Sequence, residues 1–173
     1  TPIAAIPEGY SVTFFGLLDN GPVVIDMQGE RRGFQYDYTG SGCPDSNPDD
    51  GIAAENLLRF ENLTFRNAFV EAYDCGSTNI ARGGAIQIYN NIGSSLEVEV
   101  KRCAFQDNFL DDPVFLNNNG RSVSGAAIFV NGRVGNTSGN TFAQVLVDSC
   151  TFINNRCQQL DNGGHGGAVC IVN

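Results

Sequence analysis

LEVEVKRCAFQDN, running from Leu96 to Asn108, is the stretch whose pattern decides the fold. Its apolar residues alternate at Leu96, Val98 and Val100, slip by one position at Lys101-Arg102, and resume at Cys103 and Phe105. A period of two marks a strand with one buried face. One extra residue in such a strand would turn every later side chain outward, so a chain that slips and keeps its apolar set inward has turned a corner. Two more blocks align with this one without gaps: NLLRFENLTFRNA from Asn56 and AQVLVDSCTFINN from Ala143. Leu58 and Phe60 match Val98 and Val100, and Val145 and Val147. Leu63 and Phe65 match Cys103 and Phe105, and Cys150 and Phe152, so the corner recurs at Glu61-Asn62 and Asp148-Ser149.

A second block type alternates with the first: GGAIQIYN from Gly83, GAAIFVNG from Gly125 and GGAVCIVN from Gly166. The first type starts at Asn56, Leu96 and Ala143, and both types recur every 40 to 47 residues. Ile86 and Ile88 match Ile128 and Val130, and Val169 and Ile171, which gives a third inward strand per repeat. Short strands that return in fixed order are satisfied when like stacks on like, each N–H and C=O pairing with the repeat above or below. The core would then hold one ladder of Phe65, Phe105 and Phe152 and another of Leu63, Cys103 and Cys150. The expected fold is an all-β parallel solenoid of about four coils with long corner loops. A β-sandwich is the alternative, but its strands have no reason to recur at one period.

Residues 1–55 lack the blocks but alternate at Tyr10, Val12 and Phe14, at Val23, Ile25 and Met27, and at Phe34, Tyr36 and Tyr38. They read as a divergent cap coil, and 56–173 as the repeat coils of one continuous domain. Gly40 to Gly51 reads as a polar loop, and Asp111 to Arg121 and Asn131 to Thr141 as insertions between strands. The start at Thr1-Pro2 leads us to expect a mature chain or one cut from something larger. The last block ends at Asn173 with apolar residues uncovered, so further coils or another subunit are expected over that end.

Composition narrows the function. Only 17% of the 173 residues are charged against 42% apolar, which excludes general disorder. Ten basic residues face 19 acidic ones, a formal charge of −9, so nucleic acid is a poor partner. No apolar run approaches the roughly 20 residues of a membrane span, and insertion into a bilayer is not expected. Six cysteines without a C-x-x-C pair, beside a single His, point away from a metal site. Sequons at Asn62 and Asn136 fit an extracellular or cell-surface glycoprotein, Asn136 in its Gly/Ser/Asn loop being the better acceptor.

Gly83-Gly84-Ala85-Ile86, Phe105-Gln106-Asp107-Asn108, Phe152-Ile153-Asn154-Asn155 and Gly166-Gly167-Ala168-Val169 resemble the GGAI and FxxN repeats of the polymorphic outer membrane protein type. The resemblance runs from about Asn56 to the end, with Ala68 and Ala126 departing from the pattern. It implies a right-handed parallel β-helix of the pectin-lyase-like class and a role in adhesion or surface architecture. Fold alone does not fix function.

The same class includes polysaccharide lyases and hydrolases, so we weighed an enzyme as the alternative. Gly164-His165-Gly166 is similar to the GHG element of polygalacturonases, but the paired acids and later Arg-x-Lys of that family are not placed around it. Asp45, Asp49 and Asp50 form the best carboxylate cluster, in a loop with Pro44 and Pro48 that reads as a solvated turn. Arg31-Arg32 reads as a charged corner. No catalytic residue, cofactor or metal ligand is assigned. Cys43 with Cys75, and Cys157 with Cys170, are the candidate disulfides, Cys157 being read as a loop residue and Cys170 as facing outward beside Gln87 and Phe129. Cys103 and Cys150 read as small apolar core residues, although neighbouring coils would sit close enough for a bridge. The expected partners are protein subunits, further coils of the same chain, or extracellular glycans, and Gln87 and Phe129 are expected to offer an outer contact face.

Overall fold

The computed structural model describes residues 11–17, 21–37, 56–71, 73–74, 79–89, 96–112, 122–131, 143–159 and 167–172. Every regular element among them is a strand. A first layer holds β1 (Ser11–Phe15), β2 (Val23–Asp26) and β3 (Phe34–Asp37). A second holds β4 (Asn56–Glu61), β5 (Leu63–Arg66), β6 (Phe69–Glu71), β7 (Tyr73–Asp74), β8 (Asn79–Arg82) and β9 (Ile86–Tyr89). The third comprises β10 (Leu96–Lys101), β11 (Ala104–Gln106), β12 (Phe109–Asp112), β13 (Ser122–Ser124) and β14 (Ile128–Asn131). The fourth comprises β15 (Ala143–Asp148), β16 (Thr151–Ile153), β17 (Arg156–Gln159) and β18 (Val169–Val172).

Each pass of the chain pairs with the next through like strands. Three four-stranded parallel sheets result, in the orders β1-β4-β10-β15, β2-β5-β11-β16 and β3-β9-β14-β18. Strands β6, β12 and β17 form a further parallel sheet, and β13, β8 and β7 another in which β7 and β8 run antiparallel. Leu58, Val98 and Val145 lie in one register row, and Ile86, Ile128 and Val169 in another. Residues 11–37 join this scheme, Phe14 aligning with Phe60 and Ile25 with Phe65.

The phase slip in the sequence is a single residue in left-handed conformation. Asn62, Arg102 and Ser149 have φ of 56°, 51° and 54° and turn the chain from the first sheet into the second. Asn67, Asp107 and Asn154, at 57°, 53° and 53°, make the next turn. Asparagine and aspartate tolerate that region better than most residues. The turns do not break the backbone ladder: Asn62 N–H donates to Lys101 O at 3.1 Å and Arg102 N–H to Asp148 O at 2.9 Å. Where β8 and β13 pass into β9 and β14, the φ of 58° and 65° falls on Gly83 and Gly125. A Cβ on Gly83 would stand 2.7 Å from the Cα of Gln87, so glycine is needed there for space as well as for conformation.

The main core is lined by these rows. Phe65 stacks on Phe105 with centroids 5.3 Å apart, and Phe105 on Phe152 at 5.1 Å, with ring planes within 7° of parallel. Leu63 and Cys103 are buried beside them, with Cys150 packed against the same cluster. Asn108, fully buried, carries the polar part of the corner. Its Oδ1 accepts from Ala68 N–H at 3.1 Å, and its Nδ2 donates to Asn155 Oδ1 at 2.7 Å and Phe65 O at 3.4 Å. Asn155 Nδ2 in turn donates to Phe105 O at 2.9 Å. Each Asn serves the layer before its own, which is why Ala68 is tolerated where the pattern has Asn.

Four local readings need correction. A second, smaller core of Val70, Ala81, Leu110, Val123 and Ala126 lies where only corner loops were expected. Asp111 and Asp112 belong to β12 and Asn131 to β14, because their backbones complete parallel ladders, so those insertions are shorter than read. Cys157 sits in β17 with its side chain packed on the second core, not in a loop. Gln87 and Phe129 do share a register row with Cys170, but both are buried and offer no outer contact face. The Arg82 guanidinium lies 4.9 Å from the Phe129 ring centroid, a cation–π cover supplied by the chain itself.

Candidate functional site

The fourth layer forms the edge of four sheets, and its outer faces carry apolar residues at register positions that are polar or charged in the second and third layers. Along the outer face of the first sheet, the register position of Thr13, Arg59 and Glu99 is taken by Leu146. On the second sheet, Asp26, Arg66 and Gln106 are followed by Ile153. On the third, Asp37, Tyr89 and Asn131 are followed by Val172. Leu146, Ile153 and Val172 are 46%, 44% and 38% exposed. The inward residues of the layer are open as well, Ile171 being 43% exposed where Ile88 and Val130 of the same row are fully buried. An apolar rim thus surrounds an apolar end, and the outer N–H and C=O groups of β15 to β18 face away from their only ladder partners among the described residues. Open strand edges of this kind template pairing with further strands.

Behind the rim, the same outer faces carry fixed charge. Glu99 accepts from Arg59 Nε through Oε2 and from Lys101 Nζ through Oε1 at 3.0 Å. The Arg59 bond first, then that of Lys101, holds the Glu99 carboxyl below its ordinary range against the effect of burial. The reciprocal bond raises Arg59. Asp26 accepts from Asn67 Nδ2 at 3.0 Å, Gln28 N–H at 2.9 Å and Arg66 Nε at 2.8 Å, and these bonds, Asn67 foremost, lower its carboxyl. Arg102 binds both Glu61 and Asn62. Charges aligned between layers act as register pins along the outer faces, Glu99 buried between its two partners and Asp26 more open.

The residues singled out from sequence fall as follows. Asn62 occupies the first corner, its Oδ1 accepting from Arg102 Nε at 3.0 Å. Cys157 and Cys170 both carry thiols, as do Cys103 and Cys150, and the expected Cys157–Cys170 bridge is not formed. Cys157 packs on the second core with its Sγ 3.4 Å from Gly167 O, and Cys170 follows Phe129 in the register of β14 and β18. Arg31 pairs with Glu30 at 3.6 Å on the surface. Arg32, read as a bare charged corner, is a clamp: it donates to Gly83 O at 3.0 Å, Arg82 O at 3.0 Å and Gln35 Oε1 at 2.8 Å. Cys43, Cys75, Asn136, His165, Asp45, Asp49 and Asp50 lie outside the described residues.

Among the described residues, no group of three or more His, Cys, Asp or Glu is placed to hold a metal ion, and no helix is long and apolar enough to cross a membrane. Comparison with protein-family models, with curated proteins and with solved structures gives no match.

The apolar rim was not found by sequence reasoning, although its signal was present. Leu146, Ile153 and Val172 each break the polar half of an alternating strand in the last block of its type.

Proposed function

We propose that this chain is a right-handed parallel β-helix module of an extracellular or cell-surface assembly, with a structural or adhesive role and no catalysis. The observation that carries the reading is the change of Leu146, Ile153 and Val172 to apolar at positions that are polar or charged in earlier layers, around four open strand edges. Another layer of the same repeat type fits that surface, because it would continue each parallel ladder and cover Val147, Phe152 and Ile171 together. The right hand and the surface location draw support from the resemblance to polymorphic outer membrane protein repeats. The sequons at Asn136 and Asn62 favour secretion.

Native mass and particle shape test this reading, by light scattering and electron microscopy of the protein from its source. A rod or filament, or a much longer chain, is expected. Ile171→Lys places a charge inward at the open edge, and should abolish self-association of the 173-residue chain while its circular dichroism stays β-type. A compact monomer from source whose Ile171→Lys variant behaves identically would sink the proposal, and cleavage of acidic polysaccharides by it would replace this reading with the enzyme alternative.

A further inference from the structure

Two thiols occupy one row between fixed registers. Lys101 pairs with Asp148 before them and Ala104 with Thr151 after them, which sets Cys103 beside Cys150 in the next layer. Cys103 N–H donates to Cys150 Sγ at 3.4 Å, and Thr151 N–H donates to Cys103 O at 2.9 Å, so the two backbones are tied on both sides of the pair. The Cys150 thiol also lies 3.4 Å from Val100 O in the layer of Cys103. In-register neighbours in a parallel sheet stand ~4.8 Å apart with their Cβ atoms on the same side, inside the roughly 4.4 to 6.8 Å between Cα atoms that a disulfide spans.

The two thiols are unequal. Cys103 is buried, and its thiol is pushed well up by the bond to Cys150 and by burial. Cys150 is half-exposed, and the bond with Cys103 brings it down to about 7 against the effect of burial. A half-exposed thiolate backed by a buried thiol is the arrangement of an attacking and a resolving cysteine. The other two described thiols differ: burial pushes Cys157 up to about 11 and raises Cys170 as well.

We propose that Cys103 and Cys150 are a redox-active dithiol that closes to a disulfide between neighbouring repeats when it meets a low-molecular-weight disulfide. The Cys150 thiolate attacks one sulfur of the small disulfide RSSR, forming Cys150–S–S–R and releasing RS⁻. Cys103 gives its proton to the released thiolate and attacks Cys150 Sγ, forming the Cys103–Cys150 bond and expelling the second RS⁻, which takes up the proton that Cys150 had lost. Two protein thiols are oxidised, one small disulfide is reduced to two thiols, and no other reactant is needed. The clip ties residues 47 positions apart across the main core. It is measured by mass on the isolated chain, where the open side of the fourth layer leaves Cys150 half-exposed, so its failure is distinct from that of the assembly reading.

The test uses the folded, reduced 173-residue chain in buffers of oxidised and reduced glutathione, quenched with acid, alkylated and digested. The expected result is one cross-linked peptide joining Cys103 to Cys150, with Cys157 and Cys170 recovered as alkylated thiols. The oxidised form should melt several degrees higher, on the order of 5 °C. Alkylation of Cys150 in the reduced chain should rise with a midpoint near pH 7. In Cys103→Ser, Cys150 should stop at the mixed disulfide with glutathione. Two results overturn the proposal: no Cys103–Cys150 cross-link at any ratio in a chain whose circular dichroism is native, or a Cys150 that alkylates no faster than Cys157.

Discussion

The third and fourth layers carry nearly the same sequence pattern and have opposite surroundings. Val98, Val100, Phe105 and Val130 are sealed between two neighbours, whereas Val145, Val147, Phe152 and Ile171 have one neighbour and an open side among the described residues. Identical local rules therefore yield a closed core in one place and an exposed apolar side in the other. The difference lies in the outward residues as much as in the inward ones. The third layer presents Glu99, Gln106 and Asn131 to solvent-side positions where the fourth presents Leu146, Ile153 and Val172. Charge at such places is what keeps the edge strands of stable sheets from pairing further.

The phenylalanine ladder gives the largest contrast. Phe105→Ala should cost about 3 to 5 kcal/mol, because Phe65 and Phe152 stack on its two faces and nothing can collapse into the space. Phe152→Ala, half-open, should cost about 1 to 2 kcal/mol in the isolated chain. Urea denaturation of the two variants measures the gap. Equal losses would mean that the fourth layer is as well covered as the third, and would break the comparison.

The buried asparagines sharpen it at smaller scale. Asn108→Ala takes from Ala68 N–H its side-chain acceptor inside the core, removes the bond to Phe65 O, and should cost about 2 to 3 kcal/mol. Asn155→Ala frees groups closer to water and should cost about 1 kcal/mol. A double-mutant cycle between them should show coupling through the 2.7 Å bond that joins the two amides, and strict additivity would contradict it.

How much of this could be read from the chain depended on how many inward residues each strand offers. Strands β4, β10 and β15 give two or three alternating apolar residues each, and β5 and β11 are tied to them by a one-residue slip, so both periodicity and corner are visible. Strands β6, β12 and β17 each contribute only one residue, Val70, Leu110 or Cys157, to the second core. A single apolar residue has no period, and that core was invisible for this reason. Gln87 misled in another way. Its place in β9 is outward by alternation, yet it is fully buried, and its amide nitrogen and oxygen have no partner among the described residues. Gly83 packs against the Gln87 backbone, and the Arg82 guanidinium lies over Phe129 of the same row. Asn62 was the opposite case: it stands at a corner that the slip marks, and asparagine tolerates the left-handed φ it adopts, whereas the next turn at Asn67, Asp107 and Asn154 leaves no slip in the pattern and went unread.

The smallest expected effect concerns the outer charges and separates the layers by pH. Glu99 is held below its ordinary value of 4.5 by Arg59 and Lys101. Its folded value thus lies under its unfolded one, and the stability it contributes is complete above the unfolded value and lost as pH falls through the folded one. Asp26 behaves alike through Asn67, Gln28 and Arg66. The fourth layer has Leu146 and Ile153 at these two register positions and adds nothing there to acid sensitivity. Urea midpoints at pH 7 and pH 3 should therefore differ less in Glu99→Gln than in the unaltered chain, and least when Asp26→Asn is added. If both variants keep the full acid loss, the charges behind the rim are passive decoration, and the contrast between a pinned interior face and an open end rests on the apolar residues alone.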